Sequence, residues 1–313
     1  MDEQKINQLI EHSREFQKEF EAVIADLGKE LWNYCRYLTG SPWDGEDLYQ
    51  ETMLKTMGSL YQRWHITNLK SYLYRIATNT WIDYCRKENR KLGTLSESDE
   101  PTADFSDNLD LEDALKQLFY LFTPRQTAVF LLKEIFQFKA DEVASMVKTT
   151  PGAVYATTRR MKNKLKNESS RPSSKTEPVG SQNKVIQLYL KALTQGDVEG
   201  MLALFSDQPH YEASLGFLET TKDEIRNGSL QFGLPGHKAK QYYLWGKPVI
   251  VVFSDSKDGP LIHDIQYHEV ENGKIVLSRS YFFRKELIFA ASKELGFAPQ
   301  LYKPPLNWEK AQL

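Results

Sequence analysis

Residues 68–91 read NLKSYLYRIATNTWIDYCRKENRK, and the fold of the first half of the chain turns on this stretch. Leu69, Tyr72, Leu73, Ile76 and Thr80 recur at three- and four-residue spacing, the apolar stripe of a helix lying on a core. The opposite face is read as Arg75, Asn79, Trp81 and Arg86, ending in Arg90 and Lys91. Six Lys/Arg stand against Asp83 and Glu88, so the segment is basic, with aromatics between the charges. Rings stack on any unpaired base and cations track phosphate, so such a surface can hold an opened strand. A surface helix with solvated charges has the same pattern, and only the surrounding chain separates the two.

Composition bounds that surrounding chain. With 313 residues, 41% hydrophobic and 26% charged, it is an ordinary soluble globular protein of about two or three domains. The longest obvious apolar run, Val249–Phe253, is strand-sized, and the start MDEQKINQL lacks the basic-then-apolar order of a signal peptide, so a cytoplasmic protein without membrane contact is expected. Cys35 and Cys85 sit in helical patterns without metal-ligand spacing and read as buried thiols; no metal or cofactor is expected. The net charge of −2 hides an uneven distribution. Thr94–Asp113 holds eight Asp/Glu and no Lys/Arg, whereas Lys139–Lys166 holds seven Lys/Arg against Asp141 and Glu142. Two basic blocks flanking an acidic connector predict two separate nucleic-acid contacts, joined by a segment that avoids DNA or imitates it.

Upstream of the opening stretch, Ile6–Leu38 carries Phe16, Phe20, Val23, Ile24, Leu27, Leu31, Tyr34 and Leu38 at helical spacing, and Gly40-Ser41-Pro42 ends it. In the next run, DGEDLYQETMLK, Asp44, Glu46 and Asp47 fall in the first turn after Pro42, where the helix dipole stabilises anions. Leu48, Met53, Leu54 and Met57 can face a core while Asp47, Gln50 and Glu51 point outward. An acidic face beside a basic helix meets a basic protein more readily than DNA, though a capped, solvated helix fits too. Tyr61, Trp64 and His65 follow in a loop, where they can pocket a flipped base or anchor a core.

Downstream, Gly93 to about Asn108 reads as a flexible acidic linker and Leu111–Phe122 as a helix. Thr123-Pro124 starts another helix, with Ala128, Val129, Leu131, Leu132 and Ile135 as its core stripe. KADEVASMV, the break KTTPG and AVYATTRRMKNKLK then give two short helices about a tight turn, a helix-turn-helix. Thr150 would cap the second helix. Gly152, Ala153, Tyr155, Ala156 and Arg159 would lie toward a major groove, with Arg160, Lys162, Lys164 and Lys166 placed for phosphates. A Lys-rich helix end also suits the helix dipole without any DNA.

Together these motifs resemble the extracytoplasmic-function group of bacterial RNA polymerase sigma factors, over roughly residues 16–167, in order and in spacing. By that resemblance, Asp47, Leu48, Gln50 and Glu51 would dock on the core polymerase. Trp64, Arg75, Asn79, Trp81 and Arg86 would melt and read the minus-ten promoter element. Thr150, Gly152, Ala153, Tyr155, Ala156, Arg159, Arg160 and Lys164 would serve the minus-thirty-five element. The acidic linker would thread the polymerase. Two departures stand out: Lys148 occupies the place where the family often has the turn glycine, and Tyr155-Ala156-Thr157 replaces a more usual Lys-Ser-Arg-like run. No residue here looks catalytic; the resemblance implies binding and strand opening, with the chemistry left to the polymerase.

A polar Ser/Pro-rich stretch, Asn167–Gln182, marks a boundary. Beyond it, NKVIQLYLKALTQGDVEGMLALFSD gives two helices broken at Gly196-Asp197, then strand-like runs at His210–Leu215, Gln241–Trp245, Pro248–Phe253 and Leu261–Arg284, with a helix near Lys222–Leu230. Asn272-Gly273 signals a two-residue hairpin that would pair Glu271 with Lys274, His268 with Leu277, Gln266 with Arg279 and Asp264 with Tyr281. Asp264, His268, Arg279 and Tyr281 would then share one sheet face, as a polar pocket for a small-molecule ligand or simply as a solvent face. The element order resembles a SnoaL-like α+β cone, a fold whose relatives include cyclases, isomerases and hydrolases. The apolar Ala291–Leu313 segment reads as an arm lying on the helical domains, across the cone's mouth, or finishing the local core.

The expected architecture is therefore multi-domain: two all-α sigma-factor domains, the second with a helix-turn-helix, followed by an α+β SnoaL-like cone. The parts are a minus-ten and docking domain (1–93), an acidic linker (94–110), the helix-turn-helix domain (111–167), a linker (168–182), the cone (183–290) and the arm (291–313). Two other readings stay open: a helix-turn-helix regulator acting without polymerase, and a cone-domain enzyme with a DNA-binding leader.

Overall fold

A computed structural model describes residues 3–60, 68–92, 118, 121–167, 183–214, 217–231 and 236–303. These form two compact units, a helical one through residue 167 and an α+β one from residue 183. The readings of residues 61–67, which include Trp64, of the acidic linker, of most of Leu111–Phe122, of the second linker and of the arm beyond Lys303 lie outside the described residues.

In the helical unit, α1 (Glu3–Thr39), α2 (Pro42–Leu60) and α3 (Leu69–Leu92) close on one another. Their shared core takes Ile24, Leu31, Trp32, Tyr34, Cys35 and Leu38 from α1, Trp43, Leu48, Tyr49 and Met53 from α2, and Tyr72, Leu73, Tyr74 and Ala77 from α3. Val23 and Leu54, placed in the core by spacing, are instead 66% and 49% exposed. Glu46, read as a first-turn anion, is fully buried, with Trp32 Nε1 donating to its Oε2 at 2.7 Å. Helix α2 crosses α1 at Gly45, where a Cβ would stand 2.6 Å from the Arg36 Cα.

The helix-turn-helix consists of α4 (Pro124–Phe130), running into a π-helical turn Leu131–Ile135, then α5 (Ala140–Val147) and α6 (Pro151–Asn167). Thr123 caps α4 through a reciprocal box with Gln126. Helix α5 ends at Lys148, whose φ of 54° and ψ of 60° are left-handed, the conformation glycine accepts most readily. Arg125 Nη2 steadies this turn, donating to the carbonyls of Val147 and Lys148 at 2.6 and 3.0 Å. Lys148→Gly is expected to raise stability by about 0.5–1 kcal/mol, because the left-handed strain of a side-chain-bearing residue slightly exceeds the extra chain entropy glycine brings to the unfolded state. A urea melt of the two proteins checks it.

The α+β unit begins with α7 (Lys184–Gln195) and α8 (Val198–Leu204), separated by left-handed Gly196 and capped by Asp197, as the sequence predicts. Strands β1 (Phe205–Ser214), β2 (Phe217–Glu219), β3 (Lys238–Leu244), β4 (Lys247–Ser256), β5 (Gly259–Glu271) and β6 (Lys274–Ser280) form a sheet in the order β2-β1-β6-β5-β4-β3. All pair antiparallel except β1 with β6. Helix α9 (Lys222–Asn227) lies between β2 and β3. A further helix, α10 (Lys285–Leu295), stands where the sequence reading had only the end of the cone and the start of the arm. The arm's strand β7 (Ala298–Pro299) then pairs parallel with β5, and Phe297 packs 4.9 Å from the Phe253 ring, so as far as it is described the arm finishes its own unit's core.

The β5–β6 hairpin corrects the expected register. Glu271 does pair with Lys274, but a bulge after Val270–Ile275 admits one extra residue on β6, so His268 meets Ser278 and Gln266 meets Ser280. A one-residue slip moves side chains to the opposite face. Asp264 and His268 therefore share the helix-covered inner face with Gln266, Ser278 and Ser280. Arg279 pairs with Tyr267 on the outer face and binds Glu212 at 3.0 Å, and Tyr281 falls beyond the strand's end. The grouping of Asp264 and His268 with Arg279 and Tyr281 does not exist.

Candidate functional site

The outward side of α2 carries Asp47 and Glu51, both exposed, with Gln50 half-buried between them. Gln50 donates to the buried Glu46, and Glu51 pairs with Lys55 at 2.8 Å. Leu48, expected on the docking surface, is 5% exposed and supports that surface from the core; the exposed apolar residue beside the acids is Leu54. The result is an exposed acidic ledge with the aliphatic Leu54 beside it.

On α3, Arg75, Asn79 and Arg86 fall within about 40° of one another at 100° per residue, whereas Trp81 lies far round toward the core side. Trp81 is half-buried, its Nε1 sealed without a hydrogen-bond partner among the described residues, and its ring stacks on Tyr84 at 5.5 Å. The single face Arg75–Asn79–Trp81–Arg86 thus divides into a polar stripe and an aromatic pair. Tyr84, 54% exposed, was missed because its spacing suits neither stripe as read. Arg75 lies 5.1 Å over the Tyr72 ring and Arg86 binds Asp83 at 3.0 Å.

On α6, Gly152, Tyr155, Ala156, Arg159 and Arg160 are exposed at three- and four-residue spacing, while Val154, Thr158 and Met161 are buried behind them. Thr150 caps the helix, its Oγ1 accepting from Ala153 N at 3.2 Å, and Ala153 is half-buried. Lys133 approaches the exposed Tyr155 ring at 5.9 Å and adds a cation that the sequence reading omitted. Lys164 is exposed but leans on its own unit, 5.6 Å over Phe122.

The two basic modules, read from sequence as separate, touch. Phe136 and Phe138, just after the π-helical turn, reach Tyr74 of α3 at 5.5 and 4.8 Å, and Phe136 reaches Tyr34 of α1 at 5.1 Å. Tyr34 Oη shares a 2.7 Å hydrogen bond with Thr78 Oγ1, and Ser71 Oγ donates to Glu142 at 3.2 Å across the junction. Four rings from three segments thus meet at this junction, with the Tyr34–Thr78 hydrogen bond buried among them.

In the α+β unit, Asp264 is fully buried and accepts from Ile265 N, Gln266 Nε2 and Ser280 Oγ at 2.8–2.9 Å. Tyr189 Oη of α7 extends this network to Gln266 Oε1 at 3.1 Å. Burial pushes the Asp264 carboxyl up to about 6, against the pull of those donors and of Lys303. Burial also pushes His268 down to about 3, and it pushes His263 down to about 4 despite its bond to Gln300. Lys303, whose Nζ donates to the His263 carbonyl, is lowered by burial to about 8.

These shifts oppose one another in acid. Asp264 holds its proton more tightly folded than unfolded between about pH 4 and 6, so its contribution to stability falls as pH rises through that window. His263 and His268 refuse protons that their unfolded forms accept below about pH 6.5, so their contribution falls as pH drops. Two groups outweigh one, and the unit is expected to loosen on acidification from pH 7 to 4. Asp264→Asn removes the opposing contribution. Its stability relative to the parent is expected to be about 3 kcal/mol more favourable at pH 7 than at pH 4, read from denaturant melts at both values.

A match to Sigma-70 region 2 covers residues 23–91, the C-terminal part of α1 with α2 and nearly all of α3. Over 228 residues the chain is 27% identical to the ECF RNA polymerase sigma factor SigG of Mycobacterium tuberculosis, covering 62% of this chain and 61% of that protein, so it spans about three fifths of that relative's length. It is also 29% identical over 161 residues to the RNA polymerase sigma-E factor of Streptomyces coelicolor, covering 48% of this chain and 85% of that one. Among solved structures it is similar to the Mycobacterium tuberculosis extracytoplasmic function sigma factor SigJ, at 20% identity and a TM-score of 0.33, covering 84% of this chain and 95% of that one.

Proposed function

We propose that this chain, whose helical half belongs to the extracytoplasmic-function sigma factors and whose second half is a SnoaL-like α+β domain, directs core RNA polymerase to particular promoters and helps open their DNA. The observation that carries this reading is the co-occurrence, in one compact unit, of a Sigma-70 region 2 segment and a helix-turn-helix presenting an exposed basic stripe. Asp47, Gln50, Glu51 and Leu54 dock on the polymerase. Arg75, Asn79 and Arg86 track the phosphates of the opened strand, with Trp81 and Tyr84 as its stacking platform. The stripe from Gly152 to Arg160 reads duplex DNA upstream, with few side chains long enough to reach base edges and with phosphate contacts from its arginines.

The chain supplies binding rather than catalysis, and works in the cytoplasm with polymerase and promoter DNA as partners. The α+β unit regulates the helical unit in the same chain, with a small molecule as its signal. Run-off transcription with core polymerase, comparing the full chain with residues 1–170, tests both parts. Promoter-dependent transcript from either protein is expected, and its amount is expected to differ between them. No transcript from either would overturn the sigma reading; equal amounts would overturn cis regulation.

A further inference from the structure

Lys303 turns its amine inward on the α+β unit. A lysine usually packs its stem and leaves its ammonium in water, and burial without a partner drives off the proton. Here the amine stands 4.4 Å from the centroid of the Phe282 ring and donates to the His263 carbonyl. Asp264 lies near enough that its charge holds the lysine proton on against burial, and the lysine in turn favours the Asp264 carboxylate. Lowered only to about 8, the amine is charged at pH 7, and Asp264, raised only to about 6, is charged as well. An aromatic face, a carbonyl oxygen and a carboxylate together suit a primary ammonium: cation over ring, N–H donor to oxygen, and opposite charge.

These three groups belong to the frame of the unit, whereas the amine does not. His263 is the extra residue of a β-bulge, standing on β5 between the pairs Val252–Asp264 and Phe253–Ile262 without a register partner on β4. Phe282 follows β6 and is buried in the core, its amide donating to Ser280 Oγ at 3.3 Å, and the same hydroxyl donates to Asp264 at 2.9 Å. Lys303 instead arrives on the arm. From Ala298 to Lys303 every residue is half-buried or exposed, with Tyr302 at 88%. The segment is held by the two-residue strand β7, by the Gln300 amide on the Ile262 carbonyl at 2.9 Å, and by Gln300 Oε1 between Ser254 Oγ and His263 Nδ1. A segment that buries so little apolar surface opens at low free energy. The frame is therefore built for an ammonium, and a weakly held segment supplies one.

We propose that the Phe282 ring, the His263 carbonyl and the Asp264 carboxylate form a binding site for a primary alkylammonium compound, and that residues 298–303 are a strap that fills it with Lys303 until such a compound displaces it. This rests on reading the α+β unit as the sensing half, but binding is measured without transcription, so the two fail separately. In the full-length protein Lys303→Ala excises the carbons and the ammonium that n-propylammonium returns atom for atom. Thermal melts at matched ionic strength are expected to show saturable stabilisation of Lys303→Ala by n-propylammonium, with 1-propanol at least tenfold less effective. Asp264→Asn or Phe282→Leu, added to Lys303→Ala, is expected to weaken n-propylammonium about tenfold; the propanol comparison uses the unaltered site and so does not depend on how those variants fold. In the parent chain the tethered lysine competes at about millimolar effective concentration, so at least tenfold more n-propylammonium is needed. At that saturation the Gln300 amide is expected to exchange with deuterium faster, as the strap lifts. Equal effects of n-propylammonium and 1-propanol, or no saturable effect of either, would overturn the ammonium site. A Gln300 amide that exchanges no faster at saturation would overturn the strap and make Lys303 a fixed brace.

Discussion

Asp47→Arg combined with Glu51→Arg is expected to abolish association with core RNA polymerase while leaving the fold intact. Both side chains are exposed on the outer side of α2, so exchanging them should alter stability by no more than about 0.5 kcal/mol apiece. Glu51 surrenders an ion pair with Lys55 at 2.8 Å, but both members are about half exposed and such a pair contributes little. Against a basic partner surface the same exchange turns two attractions into two repulsions, a change of several kcal/mol and hence at least a hundredfold in affinity. Co-purification with core polymerase, alongside a thermal melt, separates the cases. Unchanged association would place the dock elsewhere; lost association with an unchanged melt supports the acidic ledge. Leu48→Ala should do the reverse, lowering the melt by removing a buried side chain before any effect on docking.

Local pattern carried most of the helical unit. Pro42, Thr123-Pro124 and Thr150-Pro151 mark helix starts by chemistry acting within one turn, and all three starts are found in place. Periodicity erred where a helix runs past its neighbours or meets a second one. Trp81 lies on the core side of α3 yet is half exposed, and Tyr74, absent from the stripe as read, is fully buried because Phe136 and Phe138 arrive from some sixty residues away. No spacing rule within α3 could announce that contact. The hairpin failed for a similar reason. Asn272-Gly273 specifies its turn, with φ of 50° and 75°, and the first pair is right. The bulge one pair later admits Val276, an ordinary strand residue without a compositional mark, and it alone decides which polar side chains enter the cone. Asp264 and His268 were therefore legible as candidates, whereas Ser278 and Ser280 were not.

Gly45→Ala is expected to destabilise the helical unit by about 2–4 kcal/mol, although helix propensity alone favours alanine by about 1 kcal/mol. The added Cβ would meet backbone, 2.6 Å from the Arg36 Cα and 2.8 Å from its N, where no flexible side chain can swing away. Relief requires α1 and α2 to part. Parting opens the packing of Trp43, Leu48 and Tyr49 and stretches the 2.7 Å bond from Trp32 to the buried Glu46, taking one donor from a buried carboxylate. Gly58 provides a matched control on the same helix: it is exposed and a Cβ there would meet nothing within 4 Å, so Gly58→Ala should follow propensity and stabilise by up to about 1 kcal/mol. Denaturant melts of the two variants should thus move in opposite directions. The fall at Gly45 should bring an early change in tryptophan fluorescence as Trp32 and Trp43 gain solvent. A rise in both would mean that the two helices do not approach backbone to backbone, and the acidic ledge on α2 would lose the rigid support that the docking reading requires.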